Sequence, residues 1–221
     1  MTDVRKLIRG ARIATLATLD HENGHPYASL IAVATATDCA PLFLISDLAV
    51  HTRNLKSDAR ISILFAAESR TDRDPLNAGR VSVMGTAAAT ASAGLRNRFL
   101  ARHPEAALYA DFADFSFYKM TVSHAHYVGG FGRIASVAAS DILVSPAAAE
   151  SWETAAEETL HDINAGYGDL LTRLAGENAS AVACDPDGFD ISCHDAVSRI
   201  AFAERLASPE DIADAVRQIE P

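Results

Sequence analysis

Ile13-Ala-Thr-Leu-Ala-Thr-Leu19 alternates apolar and small polar residues and runs into Asp20-His-Glu-Asn-Gly24, a turn. A second alternating run, Tyr27–Ala34, follows. Alternation with period two is the mark of a strand with one buried face, and a Gly- and Asn-rich break between two such runs marks a hairpin. The pattern recurs at Pro41–Ser46, Arg60–Ala67, Arg80–Ala87 and Phe117–Val128. Turn-rich pieces separate several of them: Glu22–Pro26, Thr37–Pro41 and Asp72–Gly79. Six short strands at these spacings, with no helix between most of them, predict an antiparallel barrel rather than βαβ units.

Two helical pieces interrupt the strands. Asp47–Ser57 is short and lies between strands three and four. Ala93–Ala110 carries Leu95, Phe99, Leu100 and Ala107 at helical spacing, with Arg96, Arg98 and Arg102 on another face. Pro104 is expected to break it, because proline bars the residue before it from helical backbone angles.

The last third changes period. Trp152, Ala156, Thr159, Ile163, Tyr167, Leu170 and Leu174 recur at three- and four-residue steps, predicting a long amphipathic helix weakened at Gly166 and Gly168. Ala181–Cys184, the turn Asp185-Pro-Asp-Gly188 and Phe189–Cys193 read as a hairpin, and Val197–Ala203 as a third strand. Ser208, Pro209 and Asp211 form a helix-start signature for a final helix. The fold class expected is therefore α+β: a six-stranded antiparallel split barrel over residues 1–140, a linker at 141–149, and a small helix–three-strand–helix domain over 150–221.

Charge follows the same division. The 221-residue chain is 49% apolar with a net charge of −10. Residues 1–140 hold 15 Lys+Arg against 12 Asp+Glu, whereas 141–221 hold 4 against 17. An acidic chain excludes non-specific nucleic-acid binding, which needs a basic surface, and the acidic tail reads as a solvated, repulsive face. No apolar run reaches the ~18 residues of a membrane span, so a cytoplasmic protein is expected. Cys39, Cys184 and Cys193 form no C-x-x-C pair and read as free thiols rather than a disulfide framework or zinc ribbon.

Several strings in order then carry a resemblance. Ala14–Leu19, Pro26-Tyr-Ala-Ser29, Ser46-Asp-Leu-Ala-Val-His-Thr-Arg-Asn-Leu55 and Asp58-Ala-Arg-Ile-Ser-Ile-Leu-Phe65 resemble the pyridoxamine 5′-phosphate oxidase-like FMN-binding split barrels. Asp74-Pro-Leu76, Arg80–Gly85, Arg98–Tyr109, Phe112–Phe115 and Val128-Gly-Gly-Phe-Gly-Arg133 are similar to the haem-utilisation (HugZ-type) branch of that superfamily. Asp185-Pro-Asp-Gly-Phe-Asp190 resembles the domain often fused to it. The resemblance implies a homodimer holding FMN, or haem, in the cleft between two barrels. It implies flavin-dependent oxidoreductase or haem-binding activity. A non-catalytic regulatory module of tetrapyrrole metabolism is one alternative, and a haem-degrading oxygenase another.

By that resemblance Ser29, Ser46, His51, Thr52 and Arg53 are candidate cofactor contacts, since a flavin phosphate needs hydroxyls, helix-start amides and a cation. Arg133 is a candidate anion contact for a phosphate or propionate. His124 and His126, two apart on one strand and so on one face, are candidate haem ligands. The chain departs from the oxidases where Ser29 and Ala34 stand at basic positions of the second strand. Pyridoxamine phosphate oxidation is accordingly not expected. Asp162–Asp169 matches a histidine- and acid-rich string of the relatives but keeps only Asn164 and Asp169, so no metal is assigned and Ile163 and Tyr167 are read as packing residues. His21, His25, His103 and His194 are expected at the surface.

Overall fold

A computed structural model describes residues 2–67, 75–130, 132–194 and 196–219. The first three residues of the turn read at Asp72–Gly79, Asp74 among them, lie outside the described residues, as does Phe131. The elements in chain order are α1 (Thr2–Gly10), β1 (Ile13–Leu19), β2 (Pro26–Thr35), β3 (Pro41–Ser46), α2 (Val50–Ser57), β4 (Arg60–Ala66), β5 (Arg80–Thr90), α3 (Ala93–Arg102), β6 (Phe115–Val128) and β7 (Ile134–Ala138). Then come α4 (Ala139–Ile142), α5 (Pro146–Gly166), α6 (Gly168–Ala175), β8 (Ser180–Asp185), β9 (Gly188–Cys193), β10 (Ala196–Ala201) and α7 (Ile212–Arg217).

The first sheet runs β3-β2-β1-β4-β5-β6-β7, and β3 also pairs with β6. That extra ladder, Leu42–Ser46 against Lys119–Phe115, closes six antiparallel strands into a barrel and leaves β7 as a seventh strand on β6. Inward-facing Leu16, Val33, Phe43, Ile63, Phe65, Val81, Val83 and Met120 fill its interior. Helix α1, whose hydrophobic side supplies Val4 and Ile8, plugs into the same core. A second apolar cluster lies outside the barrel wall, where Phe99 of α3 packs on Leu42, Leu44 and Phe117. The α3 segment ends at Arg102, and a short 3-10 turn begins at Pro104, as the proline requires.

One residue changes the phase of β6. Met84 pairs with His124 and Gly85 with Val122, so Ser123 has no partner across the ladder. Its hydroxyl donates instead to the Met84 carbonyl at 2.8 Å. Before this bulge Met120 and Val122 point inward; after it Ala125 does, and His124 and His126 face outward. Gly85 makes the close approach tolerable: a Cβ there would lie 2.0 Å from the Thr121 carbonyl oxygen.

The C-terminal elements form a three-stranded sheet, β10-β9-β8, covered by α5, α6 and α7. Trp152, Ile163, Leu171, Phe189, Ile191 and Val216 make its core. The predicted long helix divides at Tyr167, between the two glycines, into α5 and α6. It starts at Pro146 under a Ser145 cap, within the stretch read as a linker. Asn164, one of the two residues kept from the relatives' string, clamps the irregular pairing of β8 by bonding both the amide (2.8 Å) and carbonyl (3.0 Å) of Ala181. Ser208 and Asp211 form the expected capping box. All three cysteines are free.

Candidate functional site

The strand end and helix start read as a phosphate site are built as a tied-down turn. Ser46 at the end of β3 donates its hydroxyl to the Asp114 carboxylate at 2.6 Å and accepts from the Leu48 amide at 3.1 Å. The Asp47 amide donates to the Asp114 carbonyl at 2.6 Å. Thr52 is fully buried and donates to the Ser46 carbonyl, also at 2.6 Å. Ser29 of β2 and His51 of α2 share a hydrogen bond of 3.0 Å. Burial holds the His51 imidazole below its ordinary pKa, so the ring is neutral near pH 7. Arg53 is exposed, and α2 opens at Ala49 without a side-chain cap.

Tested against a flavin phosphate, this donor set is thin. Two of the four hydroxyl and imidazole groups are spent on the protein's own oxygens. The Asp114 carboxylate beside Ser46 opposes a second anion. What remains for a phosphate is the uncapped first turn of α2, Arg53 and the Ser29–His51 pair. Arg133 lies elsewhere, beside α1. It is exposed, reaches Asp3 at 3.5 Å and the Tyr127 hydroxyl at 3.4 Å, and lines an open groove of about 370 Å³ with Lys6 and Tyr127.

His124 and His126 sit in a different setting. The ladders align Leu30, Thr15, Leu64, Ser82, His126 and Ser136 in one row across the outside of the barrel. Ala28, Ala17, Ser62, Met84, His124 and Ala138 form the next. No charged side chain occurs in these two rows. Leu30 is 69% exposed and Leu64 38%, and Ile13 and Ile134 at the margins are more than half exposed. Arg60 and Arg80 stand at the border, and Arg80 pairs with Val128, two residues along β6 from His126. A solvent-facing sheet surface with leucines and no charges is what a protein or ligand interface needs and what an unpartnered strand face avoids.

Most acids of the C-terminal segment are exposed, as read from the sequence, and three are not. Asp185, Asp187 and Asp190 of the β8–β9 hairpin are not a solvated face. Asp185 is completely buried and pairs with Arg9 (3.2 Å), Arg199 (2.6 Å) and Arg98. Asp187 pairs with Arg5 (2.9 Å), Arg9 (3.1 Å) and Arg205 (3.0 Å), and Asp190 with Arg102 (2.9 Å) and Arg199 (3.3 Å). Burial alone would raise the Asp185 pKa, but Arg199, Arg9 and Arg98 outweigh it and hold the carboxyl below the ordinary range. Four of these arginines come from α1 and α3, so the hairpin turn is fastened to the barrel. The helical spacing read for this segment set Arg98 and Arg102 four apart on one face, without indicating their partners. His103 also departs from expectation. It is buried against Phe99, with Nε2 3.0 Å from the Val33 carbonyl.

Comparison with known proteins gives four principal likenesses. A family model described as CREG, beta-barrel, matches residues 3–143. The structure of protein Atu2129 from Agrobacterium tumefaciens, of unknown function, is 28% identical, with 99% of this chain and 94% of that one covered at a TM-score of 0.78. A heme binding protein from Mycobacterium smegmatis is also 28% identical over 98% of this chain and 94% of its own, with a TM-score of 0.60. The chloroplastic non-canonical heme oxygenase HOZ of Arabidopsis thaliana is 32% identical over 132 residues, 58% of this chain. This chain spans 40% of that curated relative. The split-barrel resemblance carried by the motifs, with its haem-utilisation branch, agrees with these matches.

Proposed function

This chain belongs to the CREG β-barrel family, and from that premise we propose that it is a haem-binding protein whose two barrels pair across their uncharged outer faces. The observation that carries the reading is the pair of charge-free rows holding His124 and His126 beside Leu30, Leu64 and Met84. A porphyrin asks for an apolar surface, an axial imidazole and a cation for its propionates. The leucines and Met84 supply the first, His124 or His126 the second, and Arg80 the third. When bound, ferric haem supplies the redox and ligand chemistry; the protein holds and orients it and excludes water. The haem names of two relatives support the same ligand class.

Hemin titration tests it. A Soret shift that saturates near one hemin per chain is expected, together with a solution mass of two chains. Loss of the shift in the His124→Ala/His126→Ala double variant would place the ligand. A shift that survives that double substitution, or no shift at all, overturns the assignment.

FMN is the second reading, favoured by one observation: α2 begins uncapped, with exposed Arg53 and the Ser29–His51 pair beside it. Here the contacts are Ser29, His51 and Arg53, with Ser46 and Thr52 holding the turn. A flavin double band in freshly purified protein, lost in Arg53→Ala, supports a flavoprotein. Its absence after reconstitution leaves haem binding alone.

A further inference from the structure

Where the barrel meets the small C-terminal sheet, their apolar clusters do not close on each other. A cavity of about 250 Å³ remains between them. Leu95 and Ala101 of α3 form one wall, and Ala156 and Leu160 of α5 with Val182 and Cys184 of β8 form the other. Leu95 packs on the cluster around Phe99 and Leu160 on the cluster around Trp152, yet each is only partly buried. Unfilled apolar walls of this kind forgo the dispersion contacts that a packed seam would gain. Clefts between two packed bodies are also where small-molecule sites concentrate.

Two features of the walls say what would fit. The first is Thr37, 4% exposed and part of the same lining. Among the described residues its hydroxyl has no hydrogen-bond partner, while its carbonyl accepts from Arg9 at 2.9 Å. The oxygen is nevertheless open to a water-sized body: among the described residues, the unpaired buried side-chain atoms sealed from water are Trp152 Nε1 and Arg199 Nε. A hydroxyl that is unpaired and still accessible offers both a donor and an acceptor to whatever enters.

The second feature is charge. Arg98 and Glu153 are the charged residues of the lining. Arg98 is spent, its Nε on the Thr35 carbonyl at 2.6 Å, Nη1 on the Cys184 carbonyl at 2.7 Å and Nη2 on Asp185. Glu153 is exposed. Burial pushes the Cys184 thiol up to about 11, so it stays protonated near neutral pH. An anion therefore finds no free cation here, and a cation finds only a solvated carboxylate.

We propose that this cavity is a binding site for a small neutral molecule of the phenol class, an apolar body with one hydroxyl that bonds the Thr37 side chain. The volume suits roughly ten non-hydrogen atoms, scaled from cavities that take benzene, and is too small for a porphyrin or a flavin. None of its residues belongs to the outer face or to α2, so the site stands apart from the cofactor reading. With walls from both halves of the chain, its occupant ties the barrel to the small sheet.

Para-bromophenol, neutral near pH 7, is the probe. Crystals of the full chain soaked in it are expected to show a bromine anomalous peak between α3 and β8, with the phenol oxygen within hydrogen-bond distance of Thr37 Oγ1. A cavity without a peak overturns the proposal. Calorimetric titration in solution separates the hydroxyl from the walls. Thr37→Val removes an oxygen that the protein itself leaves unpaired. It is expected to keep the melting temperature and to weaken para-bromophenol about three- to tenfold. Bromobenzene, which lacks the hydroxyl, should bind this variant as it binds the parent. Equal losses for both compounds, or no loss for either, overturn the proposal. Ala101→Phe, at a half-buried position of α3, is expected to fill the cavity and abolish both. Displacement of para-bromophenol by hemin would move its site to the outer face and overturn the proposal too.

Discussion

The outer face of the barrel and its seam with the C-terminal hairpin are opposites in how they place charge. Two rows of strand residues running from Leu30 and Ala28 to Ser136 and Ala138 face solvent with no charged side chain. The seam buries nine charged groups within a few ångströms of one another. Solubility alone would favour the reverse. Charge was not placed to meet water here; it fastens one half of the chain to the other and is kept off the surface proposed to receive a partner and a porphyrin.

The largest test of that contrast removes a carboxylate from the seam. Asp185→Ala leaves Arg9, Arg98 and Arg199 buried with less countercharge and is expected to cost about 3–5 kcal/mol, read by urea denaturation. A cost near that of a surface substitution would mean the seam is hydrated. The same groups set an acid limit. The folded Asp185 and Asp187 carboxyls lie below their ordinary pKa, so their contribution is complete above about pH 4 and falls away as acid protonates them. Stability should therefore decline below that pH, and Asp187→Asn should flatten the slope.

On the outer face the expected effects are smaller for folding and larger for association. Gly85→Ala forces a methyl against the Thr121 carbonyl and is expected to cost about 1–3 kcal/mol while disturbing the hemin Soret band. Leu64→Arg adds a charge to the uncharged rows. It should change protomer stability by no more than about 0.5 kcal/mol yet halve the solution mass. A dimer that tolerates this change uses another surface. The smallest effect belongs to His51, whose pKa is lowered by burial: stability linked to it is present above the unfolded value and lost as pH falls through the folded one. His51→Gln should remove that shallow slope between pH 7 and 5.

The barrel was legible because alternation is a local signal, and strands β1 to β6 fall where the period-two runs lie. The break at Pro104 was legible for the same reason, since proline acts on its own backbone, whereas Gly166 and Gly168 marked only a weak point where the structure has two helices. Helix α1 was not: its apolar side is only Val4, Leu7 and Ile8, and nothing near it in sequence announces the core it enters. Strand β7 is short and lies after a glycine-rich turn, so its ladder with β6 is visible only in the fold. At the candidate site, the resemblance named hydroxyls and a cation near α2 but could not see Asp114, 68 positions from Ser46, claiming the Ser46 hydroxyl. The acidic tail was read correctly as surface along α5 and α7 and wrongly at Asp185, Asp187 and Asp190, because ion pairs across 178 or 182 residues leave no local trace.

The bulge at Ser123 carries a last consequence. Along β6 the face a side chain occupies is set by counting residues, and position 123 adds one to the count. Deleting Ser123 would turn the bulge into regular alternation, with Val122 and Ala125 inward and His124 and His126 outward as they are now. Flattening the bulge while keeping Ser123 would do the reverse and carry both imidazoles toward the core. The bulge, more than the residue that occupies it, lets a segment one residue longer than its partner keep both histidines on the outside.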